Sequence, residues 1–167
     1  MNDILAIITL DQKRRKTEIV ITQKQFKFGC IRCADLCCKL GGPKLTQNDV
    51  ERIETAGYNT KDFLGLKRGI DNTLKNIIGS LKTKQDGSCI FLRCNSKIKC
   101  SRCSIYDFRP TLCRIYPFRI ENLKSSQIAF KFIPCCKGLN NQKGKIVDRD
   151  FFLEKIEEAK KVFKTKS

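Results

Sequence analysis

The 167-residue chain has no histidine, no tryptophan, one methionine and four prolines. The missing histidines exclude Ser-His-Asp and Cys-His nucleophile pairs, histidine general acid/base chemistry and any zinc site built on imidazole. A metal bound here is bound mainly by sulfur. Without tryptophan, the core must rest on Ile, Leu, Val and 11 Phe. Long apolar runs are missing too, and no stretch approaches the roughly 20 residues of a membrane span. Met1-Asn2-Asp3 is acidic where a secretory leader is basic, and the apolar run Ile4 to Leu10 is short. Asp11 follows it in place of a small-residue cleavage site. The expectation is a cytoplasmic protein in reducing surroundings, where clustered cysteines read as metal ligands or redox groups before disulfides.

Acidic residues are scarce relative to basic ones: 17 Asp and Glu face 34 Lys and Arg, a formal charge of +17. Thiolate-bound metal corrects this figure, to about +13 for two tetrathiolate zinc sites or about +15 for one four-iron cluster. The chain stays strongly basic either way. Such a surface suits RNA, the ribosome or an acidic protein, although evenly scattered lysines also serve simply to solvate a surface.

The length fits one α+β domain with short hairpins and a few helices arranged around a cysteine-rich metal centre. Residues 1–27 read as an N-terminal β-hairpin, 28–138 as the cysteine core and 139–167 as a C-terminal helical segment. Ile4 to Leu10 and Thr17 to Thr22 form the hairpin, with Lys13, Arg14, Arg15 and Lys16 at a basic tip. Thr46 opens a helix with Asp49 as its capping-box acid and Gly57 near its end. A short helix follows Thr60, through Phe63 and Leu64. Ile70 to Lys82 is ambiguous between strand and helix. Gln85 to Ser88 is a turn, and Cys89 to Leu92 reads as a strand beyond it. Pro117 to Glu121 and Ile128 to Ile133 form a hairpin around Asn122 to Ser126. Asp148 caps a final helix with Phe152, Ile156, Ala159 and Phe163 on one face.

Eleven cysteines are the feature present in excess. By spacing they fall as Cys30-x2-Cys33-x3-Cys37-Cys38, then Cys89, Cys94, Cys100-x2-Cys103, Cys113 and the pair Cys135-Cys136. A C-x-x-C pair delivers two sulfurs to one metal when a tight turn aims backbone N–H groups at the thiolates. Both 30/33 and 100/103 have that spacing. Adjacent cysteines tend to point apart, so Cys37 and Cys38 are expected to serve different sites, or one to be a ligand and the other a core position; the same holds for Cys135 and Cys136. Closed tetrathiolate zinc and a [4Fe-4S] cluster both match thiol-only ligation.

Downstream, "CSIYDFRPTLCRIYPF" places Arg109-Pro110 at the start of a helical turn, with Pro at its first position and Cys113 and Arg114 just inside. Arg109 and Arg114 would then lie near metal-bound sulfur, where cations offset thiolate charge or hold an anionic cofactor. Tyr106 and Tyr116 bracket the segment as core residues or as donors to sulfur.

Together "FGCIRCADLCC", "CIFL", "CSIYDFRPTLCRIYPF" and "CCKG" resemble the YkgJ-type cysteine-cluster family over Phe28 to Gly138. The resemblance implies a domain that chelates zinc or iron through Cys30, Cys33, Cys37, Cys38, Cys89, Cys103, Cys113 and one or both of Cys135 and Cys136. Cys94 and Cys100 stand as additions to that pattern. The cluster is also similar to that of the flagellin lysine N-methylases, which implies S-adenosylmethionine as a further cofactor and protein lysine methylation as an activity. Neither a glycine-rich methyltransferase loop nor the C-x3-C-x2-C run of radical enzymes occurs here. Three readings follow: a metal-binding protein holding [4Fe-4S] or zinc, a lysine methyltransferase, and a basic RNA- or ribosome-associated protein with structural zinc.

Overall fold

A computed structural model describes residues 3–11, 16–66, 73–95, 100–124 and 126–163. In chain order the elements are β1 (Ile4–Asp11), β2 (Lys16–Ile21), β3 (Lys27–Phe28), α1 (Leu36–Lys39), β4 (Lys44–Thr46), α2 (Gln47–Thr55), α3 (Thr60–Phe63) and β5 (Leu64–Gly65). There follow β6 (Ile77–Leu81), β7 (Leu92–Asn95), β8 (Cys100–Cys103), a 3-10 turn at Tyr106–Phe108, α4 (Thr111–Ile115), β9 (Phe118–Lys124), β10 (Gln127–Phe132), β11 (Lys145–Ile146) and α5 (Arg149–Val162). The class is α+β, as the patterning predicts. The chain divides into two compact units, residues 1–31 with 117–156 and 165–167, and residues 32–116 with 157–164. No helix among the described residues is long and apolar enough to cross a membrane.

The first unit is built on an antiparallel sheet of order β2-β1-β10-β9. Both hairpins expected from alternation form, with Ile8 opposite Ile19 on one side and Ile128 on the other. The basic tip lies outside the described residues at Lys13, Arg14 and Arg15. One face of the sheet buries Ala6, Ile8, Phe118 and Phe130 against Phe152 and Ile156. A register shift between Ile4 and Ala6 breaks strict alternation, and Leu5 and Ala6 are both buried. The phenylalanines meet edge-on, Phe130 with Phe152 at 5.0 Å and Phe28 with Phe118 at 4.9 Å, the preferred geometry for ring quadrupoles. Backbones approach closely at Gly29, Gly138 and Gly144. A Cβ at Gly29 would stand 2.9 Å from the Gly144 Cα, and one at Gly138 would stand 2.8 Å from the Gly29 carbonyl oxygen.

In the second unit a sheet of order β4-β6-β5 packs with the helices around Leu45, Val50, Ile53, Phe63, Leu81, Phe91 and Ile105. The capping box at α2 forms as the sequence predicts: Thr46 Oγ1 accepts from the Asp49 backbone N–H, and Asp49 Oδ2 accepts from the Thr46 N–H at 3.1 Å. Gly57 follows at φ 88, a left-handed conformation that closes the helix. Ile77–Leu81 settles the ambiguous stretch as strand; its beginning, residues 70–72, lies outside the described residues. The strand expected at Cys89 begins only at Leu92. The Cys89 N–H donates to the Cys38 carbonyl instead, and the Leu92 N–H turns back to the Cys89 carbonyl. Pro110 caps α4 rather than opening its first turn, with φ −53 and ψ 154.

Candidate metal centre

Thiols enter the second unit from three directions. Helix α1 carries Cys37 and Cys38, the turn before β7 carries Cys89, and β8 ends on Cys103. Cys38 and Cys89 belong to the buried core, with Cys37 and Cys103 partly buried against it. The backbone bond from Cys89 to Cys38, at 2.8 Å, fixes the first two segments to each other. The Cys38 thiol is near enough to those of Cys103, Cys37 and Cys89 for all three to act on its ionisation. Of the adjacent pair, Cys38 is buried in the core and Cys37 is partly buried against it.

The electrostatics follow from that packing. Hydrogen bonding from Cys38 holds the Cys103 thiol down at about 7, with Arg109 helping. The same partner brings Cys37 to about 7, again with Arg109 assisting. Cys89 is lowered by its bond with Cys38. Cys38, as the shared donor, is pushed far up by its bonds to Cys103, Cys37 and Cys89. Cys113, on α4, is raised by burial of its sulfur and by the neighbouring thiols Cys89, Cys37 and Cys103, although part of the residue reaches the surface. A group of three thiols favouring ionisation around one that holds its proton is a donor set suited to a thiophilic cation. Among the described residues no group of three or more His, Cys, Asp or Glu side chains stands in a geometry that could hold a metal ion, and the thiols are free.

Other candidate ligands sit elsewhere. Cys94 is exposed on β7, its sulfur 3.6 Å from Ser101 Oγ. The C-x-x-C spacing at 100/103 lies on an extended strand paired with β7, so it forms no tight turn there. Cys33 is half-buried in the second unit, near the Lys39 ammonium. Cys30, Cys135 and Cys136 belong to the first unit. There the Gly29 N–H bonds the Gly138 carbonyl at 3.0 Å, which brings the Cys30 segment alongside the Cys135-Cys136 turn. The Gly138 N–H also donates to Cys136 Sγ at 3.4 Å, the backbone-to-sulfur contact expected of a ligand turn.

The two arginines have different surroundings. Arg114 pairs with Glu158, which is almost fully buried, so its guanidinium is spent on anchoring α5. Arg109 lies close enough to Cys37 and Cys103 for its charge to act on both. Asp49 is the site residue that motif reading assigned only to a helix cap. Its fully buried carboxylate also accepts from the Thr111 N–H and Oγ1–H, both at 2.8 Å, and from Arg52 Nη1 at 3.1 Å. It thereby clamps the start of α4, and with it the Cys103–Cys113 segment, onto α2. No local signal reveals this, since Thr111 is 62 positions away.

The CxxCxxCC family, described as "Putative zinc- or iron-chelating domain", matches this chain over residues 29–131. The chain belongs to that family. The CxxCxxCC match takes in Cys30, Cys33, Cys37, Cys38, Cys89, Cys103 and Cys113, and it ends before Cys135 and Cys136. A relative from Methanocaldococcus jannaschii, "Uncharacterized protein MJ0661", is 29% identical over 143 residues, 83% of this chain and 72% of its own length. No solved structure matches this CxxCxxCC protein.

Proposed function

We propose that the protein binds a single metal ion, zinc, through Cys37, Cys38, Cys89 and Cys103. The observation that carries this reading is the gathering of the four thiols at one core, Cys38 and Cys89 within it and Cys37 and Cys103 packed against it, with the Cys89 N–H bonded to the Cys38 carbonyl. A tetrahedral ion bound to each sulfur at about 2.3 Å sets the sulfurs about 3.8 Å apart, close to sulfur–sulfur van der Waals contact. A four-iron cluster puts a sulfur-bridged core between its cysteines and needs them further apart. Thiols packed into and against one small core favour the compact ion over a cluster.

A closed tetrathiolate ion supplies crosslinking rather than an open coordination position. Cys37 and Cys38, Cys89 and Cys103 would tie α1, the turn before β7 and the end of β8 to one point. Arg109 offsets part of the thiolate charge from outside. In this reading Cys113 is a neighbour of the centre and Cys94 lies apart from it.

Metal content and absorbance of protein purified without oxygen test the proposal. The expected result is one zinc per chain and no visible absorbance. Cys38→Ser and Cys103→Ser should lose the metal, whereas Cys94→Ser and Cys113→Ser should keep it. Four irons per chain with broad absorbance bleached by dithionite would overturn the single-ion assignment. Protein free of both zinc and iron would overturn metal binding altogether.

A further inference from the structure

Tyr106 carries a guanidinium on each face of its ring. The Arg109 Cζ lies 3.8 Å from the ring centroid and the Arg32 Cζ lies 4.1 Å from it. Two groups so close to one centroid cannot share a face, so they stand on opposite sides. Arg109 is held at further points: its Nε–H donates to the Tyr106 carbonyl at 2.8 Å, and its own carbonyl accepts from Arg52 Nη1 at 3.0 Å. Arg32 comes from the spacer of Cys30-x2-Cys33, whereas Tyr106 and Arg109 follow Cys103. Arg32 also has φ 56, a left-handed conformation costly for a residue with a side chain, and its guanidinium is 3.8 Å from Asp107. The stack thus joins the first cysteine loop to the segment after Cys103.

We propose that Tyr106 is a positioning residue of the metal centre, its ring fixing the Arg109 guanidinium beside the thiolates and fastening Arg32 to the same point. The proposal rests on the thiolate–metal reading above and adds the group that tunes it. Four thiolates around a divalent ion leave an excess of negative charge, so a cation that cannot swing away stabilises the bound state. Arg109 stands six positions after Cys103 and four before Cys113, in the segment that Asp49 clamps to α2. An arginine is suited to it because its planar head stacks on a ring and still presents N–H edges, which lysine cannot do.

The test follows metal transfer from the protein as isolated to a colorimetric chelator. Tyr106→Leu and Arg109→Gln should each release metal about tenfold faster than wild type, the lower end for loss of an outer-shell partner. Tyr106→Phe, which keeps the ring, should stay within about twofold of wild type. Because Tyr106 acts through Arg109, the Tyr106→Leu/Arg109→Gln double variant should release no faster than Arg109→Gln alone. Multiplying effects, or wild-type release from Tyr106→Leu, would overturn the proposal. If Tyr106→Leu does not fold, Arg109→Lys carries the test: about tenfold faster release supports positioning by stacking, and the wild-type rate overturns it. Wild-type protein isolated without metal would instead sink the underlying metal reading, whatever the stack variants do.

Discussion

The two units of this chain reach a buried core by different means. In the first, strands of eight, six, seven and six residues pair over most of their length and bury a phenylalanine-rich face that contains no cysteine. In the second, the three-stranded sheet is made of strands of three, two and five residues, and two of its core side chains are thiols. Short elements bring few backbone hydrogen bonds and little apolar area, so such a unit depends more on side-chain ties between distant segments. Asp49 is one such tie, and the thiol group, once a metal is bound, is another.

The largest effect that tests this contrast is metal removal. Chelation should strip hydrogen-exchange protection from β4, β6 and α2 while β1, β9 and β10 retain theirs, since metal binding free energy becomes folding free energy only where the ligands sit. Equal loss across both units would break the comparison. Next in size, Phe130→Ala should cost about 3–5 kcal/mol in thermal or urea unfolding, by opening a cavity in a fully buried aromatic site. It should leave metal content unchanged. Asp49→Asn should cost about 2–3 kcal/mol, because the amide cannot accept from all of Thr46, Thr111 and Arg52. Its effect should appear in the second unit's exchange protection.

A pH series on metal-free, reduced protein sharpens the same point. Cys37 and Cys103 are held near 7, below the ordinary thiol value of 9.0, so their alkylation rates should inflect near pH 7. Their folded-state values are depressed, so the stability they contribute is present above about pH 9 and is lost as pH falls through 7. Cys38 and Cys113 are raised and act in the opposite sense at higher pH, where unfolding lets them ionise. An inflection near 9 for every reactive thiol would remove the special character of the group. The smallest effect belongs to the sheet surface, where Arg119 pairs with Asp3 at 3.0 Å and with Glu121 at 3.3 Å. Arg119→Ala should change stability by no more than about 1 kcal/mol, as exposed pairs are screened by solvent.

Local features were the readable ones. The β-rich runs Ile4–Leu10 and Thr17–Thr22 mark strands because branched side chains suit the pleated backbone, and Thr46 with Asp49 marks a helix start because both halves of the box lie within three residues. The 100/103 spacing is legible for the same reason. Spacing reports what two cysteines can do if the chain turns, and strand pairing with β7 kept that segment extended. The assignment of Arg109 and Arg114 to one role also divided, since Glu158, 44 positions from Arg114, claimed that guanidinium.

The sequence alone determined the chemistry. The absence of histidine, eleven cysteines and their clustered spacing point to metal bound mainly by sulfur, and the local patterning points to α+β. Which thiols meet was decided by the tertiary structure. Cys38 shares a core with Cys89 and Cys103 because a turn and a strand far along the chain pack against it, and sequence separation carries no record of that packing. The same packing turned Asp49 from a helix cap into a clamp and Tyr106 from a core candidate into a seat for two arginines.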